Sequence, residues 1–321
     1  MPTILITEHI HPDAVARLKR EPGFEVVEAA GSQRVIQETL DWADAIGVRI
    51  MRLDAAMLAE APRLRVIGKH GVGTDNIDLL ACAARGVVVL NTPEANKIAV
   101  AEHAMALILA LAKRLSPSDA ALRHGDWHFR DHMLSEEVAG RSLAILGLGR
   151  SGQELARRAR AFDMTLLAWG RRVDRGVADA LGVRVVATLG EALAAADYVS
   201  LHTPRVHPTK PLLGRDEIAL MKPGTILINC ARGGLVDEVA LAEALRDGRL
   251  GGAGIDVFDA EPPPGNHPLL APGLDNVILT PHTAGNTREA SRRMGMEMAE
   301  NIIAGLAGRL DGAPVVRPPS L

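Results

Sequence analysis

Leu143-Ala144-Ile145-Leu146-Gly147-Leu148-Gly149-Arg150-Ser151-Gly152 decides the fold. Four aliphatic residues in a row read as a strand buried on both faces, and a helical pattern over Gly152–Ala161 follows at once. Between them stands a G-x-G-x-x-G loop. Its first glycine permits a tight turn, the second lets a pyrophosphate approach the backbone, and the third lets helix and strand pack closely. The helix N-terminus then turns unpaired N–H groups and a favourable dipole toward the phosphates. A glycine loop alone is a weak sign. Set between a strand and a helix, it marks a dinucleotide site made by Gly147, Leu148, Gly149, Arg150, Ser151 and Gly152.

The next strand, Thr165–Trp169, runs into Gly170-Arg171-Arg172. NAD-binding proteins place an acid about 20 residues past the loop, where it accepts hydrogen bonds from the ribose hydroxyls. Here a glycine and two arginines stand instead. Without the acid a phosphate is not repelled, and guanidinium groups supply bidentate donors for a 2′-phosphate. NADP(H) is therefore favoured at Gly170, Arg171 and Arg172, with NAD(H) the alternative.

The same alternation extends in both directions. Downstream, strands are expected at Tyr198–Leu201, Thr225–Asn229, Gly252–Val257 and Val277–Leu279, with helices between them and a long amphipathic helix over Thr287–Ala304. Upstream, strands at Thr3–Thr7, Asp44–Ile50, Arg65–His70 and Val87–Leu90 alternate with helices at Ala14–Arg20, Ala55–Glu60 and Ile77–Ala84. Repeated βαβ units predict two α/β domains with doubly wound parallel sheets. Ser116–Ala139, rich in charge and histidine, reads as a linker or a subunit-facing arm, and the proline-bearing tail Asp311–Leu321 as a loosely packed terminus.

Composition narrows the classes. The chain has 321 residues, 47% hydrophobic and 23% charged, with a formal net charge of −3. That is the balance of a globular protein and offers no basic footprint for nucleic acid. Cys82 and Cys230 lie far apart without metal-ligand spacing, which fits a reducing cytoplasm. The N-terminus lacks the features of a signal peptide, and the apolar stretch Ile98–Ala112 is short of the ~20 residues a membrane span needs. His124, His128 and His132 recur every four residues, but Gly125 interrupts any helix there, so no metal is expected.

Three further segments fall at strand ends: Asn229-Cys230-Ala231-Arg232-Gly233-Gly234-Leu235-Val236-Asp237, Asp256-Val257-Phe258-Asp259-Ala260-Glu261-Pro262-Pro263 and Thr280-Pro281-His282-Thr283-Ala284-Gly285. Ligands of open α/β sheets sit outside the carboxyl ends of the strands, so an arginine, a glutamate and a histidine so placed can face one cleft. Reduction of a 2-keto acid needs a cation for the carboxylate and carbonyl, an acid to protonate the nascent alkoxide, and a group to hold that acid in its state. Arg232, His282 and Glu261 are residues of those types.

With these motifs the sequence resembles the D-isomer-specific 2-hydroxyacid dehydrogenases, from about Ala45 to the helix near Ala304. The resemblance implies hydride transfer between NADP(H) or NAD(H) and a small D-2-hydroxy/2-keto acid of glyoxylate, hydroxypyruvate or 3-phosphoglycerate type. It implies a Rossmann cofactor domain and a smaller flavodoxin-like substrate domain, divided as 98–285 and as 1–97 with 286–321. Arg232 would bind the substrate carboxylate and carbonyl, His282 would be the general acid/base, and Glu261 would pair with it. Asp256 matches the position that contacts the nicotinamide carboxamide, and His202, Thr203, Pro204 and Ala231 match the cofactor cleft. Gly71-Val72-Gly73-Thr74 resembles the substrate loop, with Val72 and Gly73 offering N–H groups to the carboxylate. Arg49 matches a position near the substrate, where Arg52, Lys69 and His70 would add positive potential. A homodimer with its interface in Ile98–Arg130 is implied, and the chain is read as stopping before the regulatory domains of longer phosphoglycerate dehydrogenases. The alternative from another class is a dinucleotide-sensing binding protein of the corepressor type, which shares the fold and can keep the triad.

Overall fold

Runs such as Ile4-Leu5-Ile6 and Leu143-Ala144-Ile145-Leu146 are buried at every position because each strand is covered on both faces. In a computed structural model that describes residues 1–205, 207 and 209–318, these runs belong to thirteen strands. In chain order they are β1 (Thr3–Ile6), β2 (Glu25–Glu28), β3 (Ala45–Val48), β4 (Val66–Lys69), β5 (Val88–Leu90), β6 (Ser142–Leu146), β7 (Thr165–Trp169), β8 (Val183–Val185), β9 (Tyr198–Leu201), β10 (Ile226–Asn229), β11 (Gly252–Ile255), β12 (Val277–Leu279) and β13 (Val315–Val316). The chain divides into two compact units, Met1–Asn96 with Asn286–Leu321, and Lys97–Gly285. Lys97, expected in the first unit, opens the helix Lys97–Ala112 and goes with the second.

In the first unit the sheet order is β13-β5-β4-β3-β1-β2. β1 to β5 are parallel, in the 2-1-3-4-5 order of flavodoxin-like folds. Alternate residues feed two cores: Leu5 and Ile46 pack on one face with Ile36 and Leu40, Ile4 and Ile6 on the other with Met298 and Ile302. The last four belong to a face completed by the helix Arg288–Leu306, whose N-cap Thr287 accepts from Ala290 N–H. Two expectations are corrected here. The sheet is mixed, because β13 pairs antiparallel with β5, Val315 opposite Leu90. The tail is accordingly held through Val316: its β-branched pair closes an edge that would otherwise present unpaired backbone groups. Pro319–Leu321 lie outside the described residues.

The second unit is an all-parallel sheet of order β12-β11-β10-β9-β6-β7-β8. This is the dinucleotide-binding order 3-2-1-4-5-6 extended by one strand, and its switch point lies between β6 and β9. Leu143 and Ile145 face one core, Ala144 and Leu146 the other. Within Ser116–Ala139, expected as linker or arm, the chain forms a helix, Leu115–Arg123, and a short 3₁₀ turn, Trp127–Asp131, neither with a buried residue. Arg114 breaks this helix from the preceding one by taking a left-handed conformation, φ 51°. Pro117 is tolerated in the first turn, where its missing N–H has no helical partner to lose.

Candidate active site

The glycine loop leaves β6 and enters the helix Arg150–Ala161 as the sequence predicts. Gly147 has φ 104°, and a Cβ there would lie 2.6 Å from the His202 carbonyl oxygen; a Cβ on Gly152 would lie 2.3 Å from the Gly147 carbonyl oxygen. Gly149 is different: a Cβ there would meet nothing within 4 Å. The outer two glycines pack the turn against its own scaffold, while the middle one faces open space at the N-terminus of a 12-residue helix. That is the shape a pyrophosphate needs, so these residues fit a dinucleotide.

His202 ties the loop to the sheet. One ring nitrogen meets Ser151 Oγ at 3.0 Å and the other Ser200 Oγ at 2.9 Å. Burial pushes its pKa down to about 4, so the ring is a neutral bridge at physiological pH. Thr203 and Pro204 follow directly, and Gly170 lies against the loop, its Cβ position 3.6 Å from Gly147 Cα. Arg171 and Arg172 are exposed beyond it.

The three chemical segments do end at strand termini of one sheet. Arg232 follows β10 on a turn pinned by Asn229, whose amide donates to the Arg232 carbonyl (2.9 Å) and accepts from Ala231 N–H (3.1 Å). Half-buried Arg232 also donates to the Ala231 carbonyl at 2.6 Å. Glu261 follows β11, and His282 follows β12. His282 Nδ1 lies 2.7 Å from Glu261 Oε2, and the imidazole remains about half exposed, at 56%. The hydrogen bond to Glu261 raises the His282 pKa above its ordinary value; partial burial and Arg232 oppose this, and the Glu261 and Asp256 charges assist. Burial pushes the Glu261 carboxyl up, but donation from His282 and from Phe258 N–H outweighs it, and the net shift is downward. The pair is therefore a carboxylate that favours imidazolium.

His282 also sits in the left-handed region, φ 53°, which costs a non-glycine residue energy unless its surroundings hold it. Two carbonyls do so: its N–H donates to those of Asp256 (2.8 Å) and Thr280 (3.0 Å). Asp256 has no exposed surface. Its carboxylate accepts from Thr280 Oγ1 (2.5 Å), Thr283 N–H (2.8 Å) and Ala284 N–H (2.9 Å). In this geometry Asp256 works as the internal clamp of the 280–284 segment. His103, on the helix Lys97–Ala112, joins the cluster through Thr280 Oγ1 at 3.0 Å.

In the first unit Gly71 turns the chain at φ 130°, its N–H held by Thr92 Oγ1 (3.0 Å), and leaves Val72 exposed and Gly73 half-buried. Of the residues expected to add positive potential, Lys69 and His70 are buried. Lys69 is only 7% exposed and donates to Asn76 Oδ1 (2.9 Å) and to the Arg49 carbonyl. Burial, aided by the Arg49 charge, pushes the His70 pKa down to about 4, leaving it neutral. What fixes Arg49 was missed in the sequence: the Glu8 carboxylate accepts from the N–H groups of Arg49, Ile50 and Met51 at 2.6–2.7 Å. The histidine series serves locally, with His124 on the Ala120 carbonyl and His128 on Asp131. Among the described residues no group of His, Cys, Asp and Glu is placed to hold a metal ion, and no helix is long and apolar enough to cross a membrane.

Residues 105–284 match the family described as D-isomer specific 2-hydroxyacid dehydrogenase, NAD binding domain. The chain belongs to the D-isomer specific 2-hydroxyacid dehydrogenases. Among similar proteins, a D-3-phosphoglycerate dehydrogenase of Methanocaldococcus jannaschii is 40% identical over 97% of this chain and 58% of its own length. This member of the 2-hydroxyacid dehydrogenase family thus spans little more than half of that relative. A glyoxylate reductase of Korarchaeum cryptofilum is 37% identical over 99% of the chain and 98% of its own length. Among solved structures, D-lactate dehydrogenase from Aquifex aeolicus, complexed with NAD and lactic acid, is 30% identical with a TM-score of 0.86, covering 99% of this chain and 100% of that one. The family's nicotinamide dinucleotide is thus the cofactor class for the loop at Gly147–Gly152.

Proposed function

We propose that this chain reduces a small 2-keto acid to the D-2-hydroxy acid, and runs the reverse reaction, with NADP(H) preferred over NAD(H). The observation that carries the reading is the 2.7 Å pair between His282 and Glu261 at the end of the sheet that bears the glycine loop and Arg232. A reduced nicotinamide supplies the hydride. Arg232 holds the carboxylate and polarises the carbonyl with its planar fork, as a bidentate donor does best. His282, as imidazolium, gives its Nε2 proton to the developing alkoxide, while Glu261 on Nδ1 fixes the tautomer and stabilises the charge. In the oxidative direction the neutral ring takes the proton back. Val72 and Gly73 are read as N–H donors to a substrate carboxylate, and Arg49 as a substrate-binding residue. The acid is of glyoxylate, hydroxypyruvate or 3-phosphoglycerate type. The homodimer is part of the reading, supported by exposed Leu115, Leu122 and Trp127 within the expected interface Ile98–Arg130.

The test is a panel of 2-keto acids with NADPH and NADH, in which turnover with no acid would overturn the reading. Arg232→Lys keeps the charge but loses the fork, so KM for the keto acid rises and kcat falls; wild-type kinetics with lysine would remove the bidentate role. The pH dependence has a definite sign. Reduction needs protonated His282, and its raised pKa carries reduction to higher pH than an ordinary histidine allows. Glu261→Gln removes the charge that raises it, so the upper pH limit of reduction moves down and oxidation sets in at lower pH. An unmoved profile would count against the pairing.

A further inference from the structure

Behind the site lies a second carboxylate–imidazole pair. Glu238 opens the helix Glu238–Arg246, just past the Asp237 N-cap, and His267 caps the short 3₁₀ turn Pro268–Leu270. Their side chains are 15% and 7% exposed, and His267 Nε2 lies 2.7 Å from Glu238 Oε2. His267 Nδ1 accepts from Leu269 N–H at 3.3 Å, so Nε2 carries the proton and donates it to Glu238. The other carboxylate oxygen, Oε1, accepts from Asp259 N–H at 2.9 Å. The imidazole also meets the Phe258 ring edge-on, centroids 5.5 Å apart.

Phe258, the neighbour of Asp259, holds the Glu261 carboxylate. Phe258 N–H donates to Glu261 Oε1 at 3.0 Å, while Glu261 Oε2 takes His282. The Phe258 carbonyl is so close to Gly233, the neighbour of Arg232, that a Cβ there would lie 1.8 Å from its oxygen. One stretch of backbone therefore touches the Arg232 turn and the Glu261 carboxylate, and Glu238 with His267 holds it from the other side. We infer that Glu238 and His267 are positioning residues for the reaction, holding the 258–261 loop so that Glu261 meets His282. This inference rests on the function proposed above.

Two substitutions separate this role from simple capping. His267→Asn keeps an acceptor near the Nδ1 position for Leu269 but has nothing to reach Glu238. His267→Gln extends an amide to the Nε2 position and restores a donor for Glu238, at the expense of the cap. The expected result is a kcat for reduction lowered roughly 10- to 100-fold in His267→Asn, as for a misplaced catalytic group. Its upper pH limit moves down, as in Glu261→Gln, while NADPH affinity by fluorescence titration stays within about twofold. His267→Gln recovers most of kcat and the wild-type pH limit. The inference is overturned if the two variants lose kcat equally and in step with Tm, or if neither moves the pH limit. Should His267→Asn not fold, Glu238→Gln is read by the same criteria, since its amide keeps one acceptor for Asp259 N–H and turns a donor toward the His267 donor. Parallel assays of Glu261→Gln and His282→Ala separate the two levels. If those are crippled and the His267 and Glu238 variants are not, the positioning role alone falls; if those are also unimpaired, the proposed function falls with it.

Discussion

His282→Ala is expected to lower kcat for keto-acid reduction by ~10²–10⁴-fold, the usual worth of a positioned general acid. The affinity for NADPH should hardly change, because the loop at Gly147–Gly152 is braced by His202 and by its own glycines. A drop of this kind places the lost interaction in the transition state rather than in ground-state binding. The substitution has one structural effect to control for. His282 is held at φ 53° by two carbonyls, and alanine meets the same left-handed penalty, so that backbone strain is not relieved by the exchange. Circular dichroism and Tm should therefore match the parent within a few degrees. Near-normal turnover in a folded variant would remove His282 from the mechanism and leave Glu261 without a purpose.

The second large effect concerns the cofactor. At low salt kcat/KM should favour NADPH over NADH by at least about tenfold, since one well-made charge-assisted bond to a 2′-phosphate is worth roughly 1.5–3 kcal/mol. Gly170→Asp with Arg171→Ala should reverse the order, a swing of about a hundredfold between the two enzymes. The exchange is sterically open: a Cβ on Gly170 meets Val173 Cγ2 at 3.4 Å and Gly147 Cα at 3.6 Å, ordinary contacts. The new carboxylate accepts from ribose hydroxyls and repels phosphate. Because Arg171 and Arg172 are exposed, raising the ionic strength should narrow the parent's preference. Equal or better activity with NADH at low salt would show these arginines to be surface charges only.

What was legible in the sequence was whatever carries its signal locally. β7, β9 and β12 stand at the expected residues because short apolar runs end sharply at polar or glycine positions. β2 was not expected: Glu25-Val26-Val27-Glu28 has two apolar residues and lies at a sheet edge, where little burial is demanded. β8 and β13 are edge strands too, and the helix Gln33–Leu40 escaped with them. In the site, Arg232, Glu261 and His282 were legible through their motifs, and the last two are brought together. Their supports were not. Glu8 acts across 41 residues on Arg49, His267 across 29 on Glu238, and His103 across 177 on Thr280, so nothing local announces them. Lys69, expected only to add positive potential beside the glycine loop, also has a structural task that the sequence does not announce: it donates to Asn76 and to the Arg49 carbonyl.

The way the first unit is assembled from two distant stretches has a consequence for its birth on the ribosome. Ile4, Ile6 and Ala45 bury one face against Met298, Ala299 and Ile302 of the helix Arg288–Leu306. Synthesis proceeds from the N-terminus, so β1 to β5 emerge first yet wait for that helix before this face can close. The unit Lys97–Gly285, by contrast, is continuous and has all its residues as soon as Gly285 leaves the exit tunnel. The order of folding should therefore reverse the order of translation, with the nucleotide-binding half maturing while the first-made sheet still exposes an apolar flank. A nascent chain stalled just short of the closing helix should be the species that chaperones hold and proteases cut, and the cut sites should fall in residues 1–96 rather than beyond.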